Sequence, residues 1–267
     1  MTISTTRGSE SATCVREPGV AGTLGASLPE SICMPLFTVD LHNHTPLIPT
    51  DYRGDIATTP RQIVERALEV GINVWGIADH WSVAYGPRVV QAAEEVFAET
   101  GRRLLVLPGA ELRIRHDGEE THMVALFPPG EVEERFAALL DALGLEEPVA
   151  PLGELPFFAH DRDPLEVARL VDEAGGLCHI GHVDRSFGEY CFMDSELVHH
   201  LAECEHVSAV ELIDHACRGR FRDGLEIAHI SSSDSHSLEE MGRRTATLDL
   251  PELSFEGLRA AFRRARG

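Results

Sequence analysis

What most restricts the fold of this chain is a rhythm that sets in after residue 36. Short apolar runs alternate with amphipathic stretches, and run after run ends in a histidine or a carboxylate. Such alternation builds β/α units, with strands gathered in a sheet and helices packed against it. Strands are predicted over residues 37–42, 73–78, 104–111, 121–127, 176–182, 207–213 and 227–233, with a further one over 243–250. Helices are predicted over 59–70, 87–100, 131–143, 163–174, 194–205 and 254–266. In the first helix Thr59 is the cap, Pro60 opens the first turn and Gly71 stops it. The polar stretch from His116 to Glu120 predicts a hairpin, and residues 144–160 form a Pro-rich connection. No break in composition follows residue 36, so the pattern predicts one barrel-like α/β domain over 37–267, after a disordered or loosely packed leader over 1–36.

Charge narrows the chemistry. All 23 basic residues are arginine, against 44 acidic ones, for a net charge of −21. A chain without lysine has no Schiff-base lysine, no phosphate-loop lysine and no carboxylated lysine to bridge two metals. The acidic excess opposes long nucleic acids and membrane surfaces, which are themselves polyanionic. Residues 1–36 hold no apolar stretch of signal-peptide or membrane-span length, so a cytoplasmic protein with reduced cysteines is expected. Cys178, Cys191, Cys204 and Cys217 recur every thirteen residues, but the sequences between them do not repeat. Fourteen histidines point to metal chemistry.

The most informative block is Asp40-Leu41-His42-Asn43-His44, at the end of the first strand. Alternate residues of a strand share a face, so Asp40, His42 and His44 are expected to project together. The second block, Ser233-Asp234-Ser235-His236, closes the last internal strand with the same spacing. In a closed barrel the first and last strands are neighbours, which would bring the two blocks together. Between them lie Asp79-His80, Glu111, His122 and His182, each at a strand end. Barrel enzymes build their sites on this rim. A lone pair of histidines could be an ordinary polar strand end; six or seven ligand types on one rim are not accounted for that way. Imidazoles with carboxylates suit zinc, manganese or iron better than calcium or magnesium.

In order and spacing, these blocks resemble the PHP (polymerase and histidinol phosphatase) family, over about residues 37–265. The resemblance implies a distorted (β/α)7 barrel with two to three divalent metal ions, hydrolysing a phosphate monoester of a small metabolite or nucleotide. By the same resemblance His42, His44, Glu111 and Asp234 hold one ion. Glu111, His122 and His182 hold a second. His80, His236 and one loop residue, for which Asp51 is the acidic candidate, hold a third. Asp40 and Asp79 are cast as partners that orient the histidines. A hydroxide shared between cations would attack phosphorus, with Glu111 and Asp234 as the central carboxylates.

Phosphate also calls for fixed donors, which only arginine can supply here. Arg185 and Arg218 are the candidates, each of which could equally be a surface arginine. His215 and His160 are candidate proton donors to the leaving group, while His179 and His229 have the strand parity of core or orienting residues. Three alternatives stay open. One is a nucleoside 3′,5′-bisphosphate phosphatase or short-oligonucleotide 5′–3′ exonuclease; another is a C–N hydrolase of the amidohydrolase type, disfavoured by the missing lysine. The last is a non-catalytic module, against which the full ligand set argues. The expected partner is a small phosphorylated substrate, with no long nucleic acid and no membrane; the oligomeric state has no sequence signal.

Overall fold

A computed structural model describes residues 34–187, 190–191, 195–214 and 226–266. In chain order the elements are β1 (Leu36–Asp40), α1 (Pro60–Glu69), β2 (Val74–Gly76), β3 (Asp79–His80), α2 (Gly86–Thr100), β4 (Leu105–Leu107) and β5 (Gly109–His116). Next come β6 (Glu119–Leu126), α3 (Val132–Leu143), β7 (His160–Asp161), α4 (Pro164–Glu173), β8 (Leu177–Ile180), β9 (Ser186–Phe187), β10 (Tyr190–Cys191) and α5 (Glu196–Glu203). The last are β11 (Val207–Glu211), β12 (Ala228–Ile230), β13 (Ala246–Asp249) and α6 (Phe255–Arg264).

Local rules account for the boundaries. Thr59 and Gln62 form a reciprocal capping box at α1. The predicted hairpin is β5–β6, turning on Asp117 (φ 49°) and Gly118 (φ 84°), the two left-handed residues that a tight hairpin turn demands. Ser195 and Ser254 cap α5 and α6 through their side chains. No helix among the described residues is long and apolar enough to cross a membrane. Cys178 and Cys204 are free thiols.

The strands do not close into one ring. They form a sheet in the order β13-β1-β2-β4 and a second in the order β12-β11-β8-β6-β5-β3, with β7 on β5 and a small β9–β10 ribbon apart. The expected barrel is therefore corrected to a mixed α/β fold of two main sheets. One change of sheet happens inside a run predicted as a single strand, and another at the end of one. Residues 104–111 break at Pro108, which has no N–H to continue a ladder, and residues 73–78 pass from β2 to β3 through Ile77 and Ala78. Helices cover both sheets. Ile63 and Val64 of α1 and Val89 and Val96 of α2 pack with Trp75, Ile77 and Val106. Leu258 and Phe262 of α6 pack with Val39, Leu41 and Ala209. Phe136, Val167 and Leu201 of α3, α4 and α5 pack with Leu112, Met123, Ile180 and Val210.

The ends of β1 and β12 nevertheless meet, as the sequence predicted. Asn43 and Ser235 form a parallel bridge, the His44 amide donates to Ser235 O (2.8 Å), and the Asp234 amide donates to His42 O (2.9 Å). Gly76 lies against this seam: a Cβ there would stand 2.5 Å from Leu41 O. We predict that Gly76→Ala lowers Tm and weakens divalent-metal binding, although Gly76 donates no ligand, because relief of the clash must shift the segment leading to His42. Overpacking of this kind costs about 1–3 kcal/mol; thermal melts and metal titration read the two effects separately.

Candidate metal centre

The two blocks and the residues between them converge into one buried cluster. His42, His44, Glu111 and His182 are at most 3% exposed, and His80 and His236 at most 8%. Glu111, at the start of β5, is the centre. Its Oε1 lies 2.7 Å from His122 Nδ1, 3.3 Å from His182 Nε2 and 3.4 Å from His42 Nε2. Its Oε2 lies 3.2 Å from His80 Nδ1 and 3.5 Å from His44 Nε2. One carboxylate thus faces two sets of imidazoles with two different oxygens.

Asp234 stands beside it, with Oδ1 3.4 Å from His44 Nε2 and 3.8 Å from His42 Nε2. Asp51 joins from the loop after β1: its Oδ2 lies 3.2 Å from His44 Nδ1, 3.3 Å from His236 Nε2 and 3.8 Å from His80 Nε2. The groupings differ in detail from those implied by the resemblance. His42 sits with Glu111 and His182 as well as with His44 and Asp234, and His44 also sits with Asp51 and His80.

The backbone is bent to achieve this. His182 (φ 29°) and Asp234 (φ 46°) both occupy the left-handed region, as does Trp81 (φ 51°) beside His80. Non-glycine residues pay for such conformations, and the strain concentrates at functional sites.

These residues fit divalent cations. His42 Nε2, both ring nitrogens of His44 and His80 Nδ1 are buried and make no hydrogen bond. Carboxylate oxygens nevertheless stand 3.2–3.5 Å from these same atoms. Two ligands each about 2.1 Å from one tetrahedral ion stand about 3.4 Å apart, so this spacing is that of a coordination polyhedron's edge.

Electrostatics point the same way. Burial opposes charge on His42, but Glu211 and Glu111 outweigh it and hold the imidazole well above its ordinary range. For His44 burial is likewise outweighed, by Asp234, Asp51 and Glu111, which push it up to about 10. Burial would raise Glu111, yet His122, His42 and His80 pull it well below the carboxylate range. At His80 burial prevails, and the ring is pushed down to about 4. The carboxylates are held ionised, and on His42 and His44 protons supply the positive charge that a cation would bring.

Asp40 does not orient a histidine as predicted. Its carboxylate accepts from the Ser233 amide (2.8 Å), the Gly242 amide (3.3 Å) and Asn43 Nδ2 (3.1 Å), stapling the two ligand blocks through their backbones. Asp79 acts similarly, accepting from the Thr45 amide and hydroxyl, both at 2.7 Å. The orienting group is one the sequence reading passed over, Glu211 at the end of β11. Its Oε2 lies 3.1 Å from His42 Nδ1 and 3.6 Å from His179 Nε2, and its Oε1 accepts from the His182 amide at 3.3 Å. A carboxylate behind a ligand histidine fixes the ring and its tautomer. The signal was faint: Glu211 is the one carboxylate within the predicted run 207–213, and the structure ends β11 at that residue.

Arg185 reaches the mouth, its guanidinium 3.8 Å from Asp234 Oδ2. His160 is set back against Trp81, ring centroids 6.3 Å apart. His215 and Arg218 lie outside the described residues.

With this geometry in place, the comparisons with known proteins are specific about fold. No family model matches the chain. A lesion-specific endonuclease of Pyrococcus furiosus matches 86% of this chain and 56% of its own, with TM-score 0.59 and 17% identity. A protein of Bifidobacterium adolescentis assigned as a metal-dependent phosphoesterase matches 85% and 96%, with TM-score 0.55 and 17% identity. A two-domain protein of Bacteroides vulgatus with a predicted PHP-like metal-dependent phosphoesterase matches 93% and 68%, with TM-score 0.53 and 16% identity. The chain shares its fold with these three structures.

In sequence, 103 residues are 30% identical to the 5′–3′ exoribonuclease Rnm of Salmonella typhimurium, and 87 residues are 31% identical to that of Escherichia coli. The matched part spans 31% and 26% of those relatives' length.

Proposed function

We propose that this chain is a metal-dependent phosphoric ester hydrolase acting on a small phosphate ester, with nucleotides and the ends of short oligonucleotides as the first class to test. The observation that carries the reading is Glu111, whose two oxygens address separate imidazole sets at a single buried point. The exoribonuclease relatives support a nucleotide substrate. The net charge of −21 still opposes a long polyanion.

The residues that would hold the ions are His42, His44, Asp51, His80, Glu111, His122, His182, Asp234 and His236. Zinc, manganese and iron suit this donor set, in two to three sites. Divalent ions bound there supply Lewis-acid activation of water and of the phosphoryl group. The protein's own work is positional. Glu211 holds His42 with Nε2 turned toward Glu111, and fixes the backbone of His182. Asp234 is held beside His44 at the edge of the mouth.

Arg185 stands over Asp234, where its planar guanidinium can take two phosphoryl oxygens in a fork. His215 and Arg218 keep the roles read from the sequence, proton donor to the departing oxygen and second phosphate fork. A C–N hydrolase is less well served, since no lysine exists to carry a bridging carbamate.

The test is metal analysis of the purified protein together with a phosphate-release panel of sugar phosphates, mononucleotides, 3′,5′-bisphosphates and short RNA. Divalent-dependent release of phosphate from at least one ester, or of mononucleotides from the RNA, is expected; a loaded protein that releases neither overturns the reading. Arg185→Ala should lower kcat/KM about 10- to 100-fold, the worth of a charged hydrogen-bonding group, while leaving the metal content unchanged.

A further inference from the structure

Residues 155–158 run beside the cluster, hydrogen-bonded at two points, each within two residues of a candidate ligand. Trp81, which follows His80, donates from Nε1 to Phe158 O at 3.0 Å. Arg113 stands two residues beyond Glu111 on the same face of β5, opposite His122 in the hairpin register. It donates to Pro156 O and, through Nε, to Glu120 at 2.8 Å; Glu120 in turn lies 3.3 Å from His122 Nε2. The carbonyls on either side of Phe157 are therefore both clamped to the rim. Leu155 and Pro156 are buried, yet Phe157, which follows them, is 74% exposed. An aromatic side chain held out by backbone fixed on both sides offers its face with little further ordering to be lost, as a stacking contact requires.

Resting on the phosphoesterase reading, we infer that Phe157 is a stacking platform for the base of a nucleotide whose phosphate enters the cluster. The charge of the chain makes this the needed kind of contact. With a net charge of −21 and no lysine, general attraction for a phosphate backbone is lacking. Beyond the metal-bound phosphate and the arginine forks, further affinity is drawn from uncharged contacts, and every base has a face that an aromatic ring can take. The platform is tolerant of base identity, because stacking alone does not read hydrogen-bonding edges.

The test uses the metal-loaded full chain. For adenosine and uridine 5′-monophosphates, Phe157→Ala should raise KM about 5- to 150-fold, the usual worth of one stacked base, with kcat changed less than about twofold, and Phe157→Trp should restore it. Ribose 5-phosphate, which has no base, should be hydrolysed by all three proteins with the same KM. A short RNA included beside the mononucleotides tells whether the base belongs to a free nucleotide or to a strand end.

A second readout needs no turnover: emission of the Phe157→Trp protein should be quenched by nucleotides and not by ribose 5-phosphate. Emission unmoved by saturating nucleotide, or an equal KM rise for ribose 5-phosphate, overturns the platform. So does self-association that disappears in Phe157→Ala, since a second copy would then be what covers the ring. Absence of phosphate release from every ester and of mononucleotide release from the RNA, with the quench intact, would overturn the hydrolase reading and leave the base site standing.

Discussion

Glu111→Gln should abolish phosphate release while leaving a folded protein. The substitution keeps size and shape but removes the charge on which the cluster is centred. In the native chain that carboxylate lies within 3.5 Å of five imidazole nitrogens. A neutral amide cannot offer an anionic oxygen to each of two cations, so at least one ion should be lost. Each cation contributes several kcal/mol to stabilising charge on phosphorus; at 1.36 kcal/mol per tenfold, a loss of about a thousandfold or more in kcat is expected.

Glu211→Gln is the graded comparison. Glu211 acts on the cluster through His42 and the His182 amide, and loss of such an orienting group costs about 10- to 100-fold in metal affinity or rate. Steady-state kinetics with metal content per chain measures both. Unchanged turnover in Glu111→Gln would remove the bridging role, and equal losses in the two variants would remove the distinction between ligand and support.

The sequence made the candidate cluster readable because chemistry and period coincide there. Asp234 and His236 share a spacing with His42 and His44, Asp79-His80, Glu111 and His182 follow or close apolar runs, and His122 opens one. The helices were readable through their caps, as at Thr59 and Ser254. Other features follow from tertiary pairing and were not readable. Pro108 divides a continuous apolar run between two sheets, and only the partners on either side reveal this. Asp40 has the strand parity of a ligand neighbour, but the chain leaves the regular strand at that residue, so its carboxylate turns to the amides of Ser233 and Gly242. Asp51 was named through the resemblance and not from periodicity, since it sits in an irregular loop whose placement against His44 and His236 depends on how residues 46–58 fold back. Glu211 was hidden for a different reason: a single carboxylate at a strand end looks the same whether it binds an ion or braces a histidine.

Removing the divalent ions should cost the fold as well as the activity. A ligand present at about a thousand times its dissociation constant stabilises the native state by about 4 kcal/mol. For a domain of this size each kcal/mol moves Tm by roughly 2–4 °C, so a tightly held ion is worth roughly 8–16 °C, recovered when metal is added back. The loss should also depend on pH, in the direction set by His44, with His42 and His122 shifted the same way and His80, pushed down to about 4, opposing them. Without cations, His44 is held up to about 10 against an ordinary 6.5. Its proton then contributes stability that is complete below pH 6.5 and fades as pH rises through about 10. Protons therefore stand in for cations in acid and fail to do so in base. Chelation should lower Tm less at pH 6 than at pH 8, and loading should release protons, which calorimetry in buffers of different ionisation enthalpy would count. Equal melting of chelated and metal-supplemented protein at both pH values would mean that carboxylates and imidazoles satisfy one another as a polar core, and the metal assignment would fall with it.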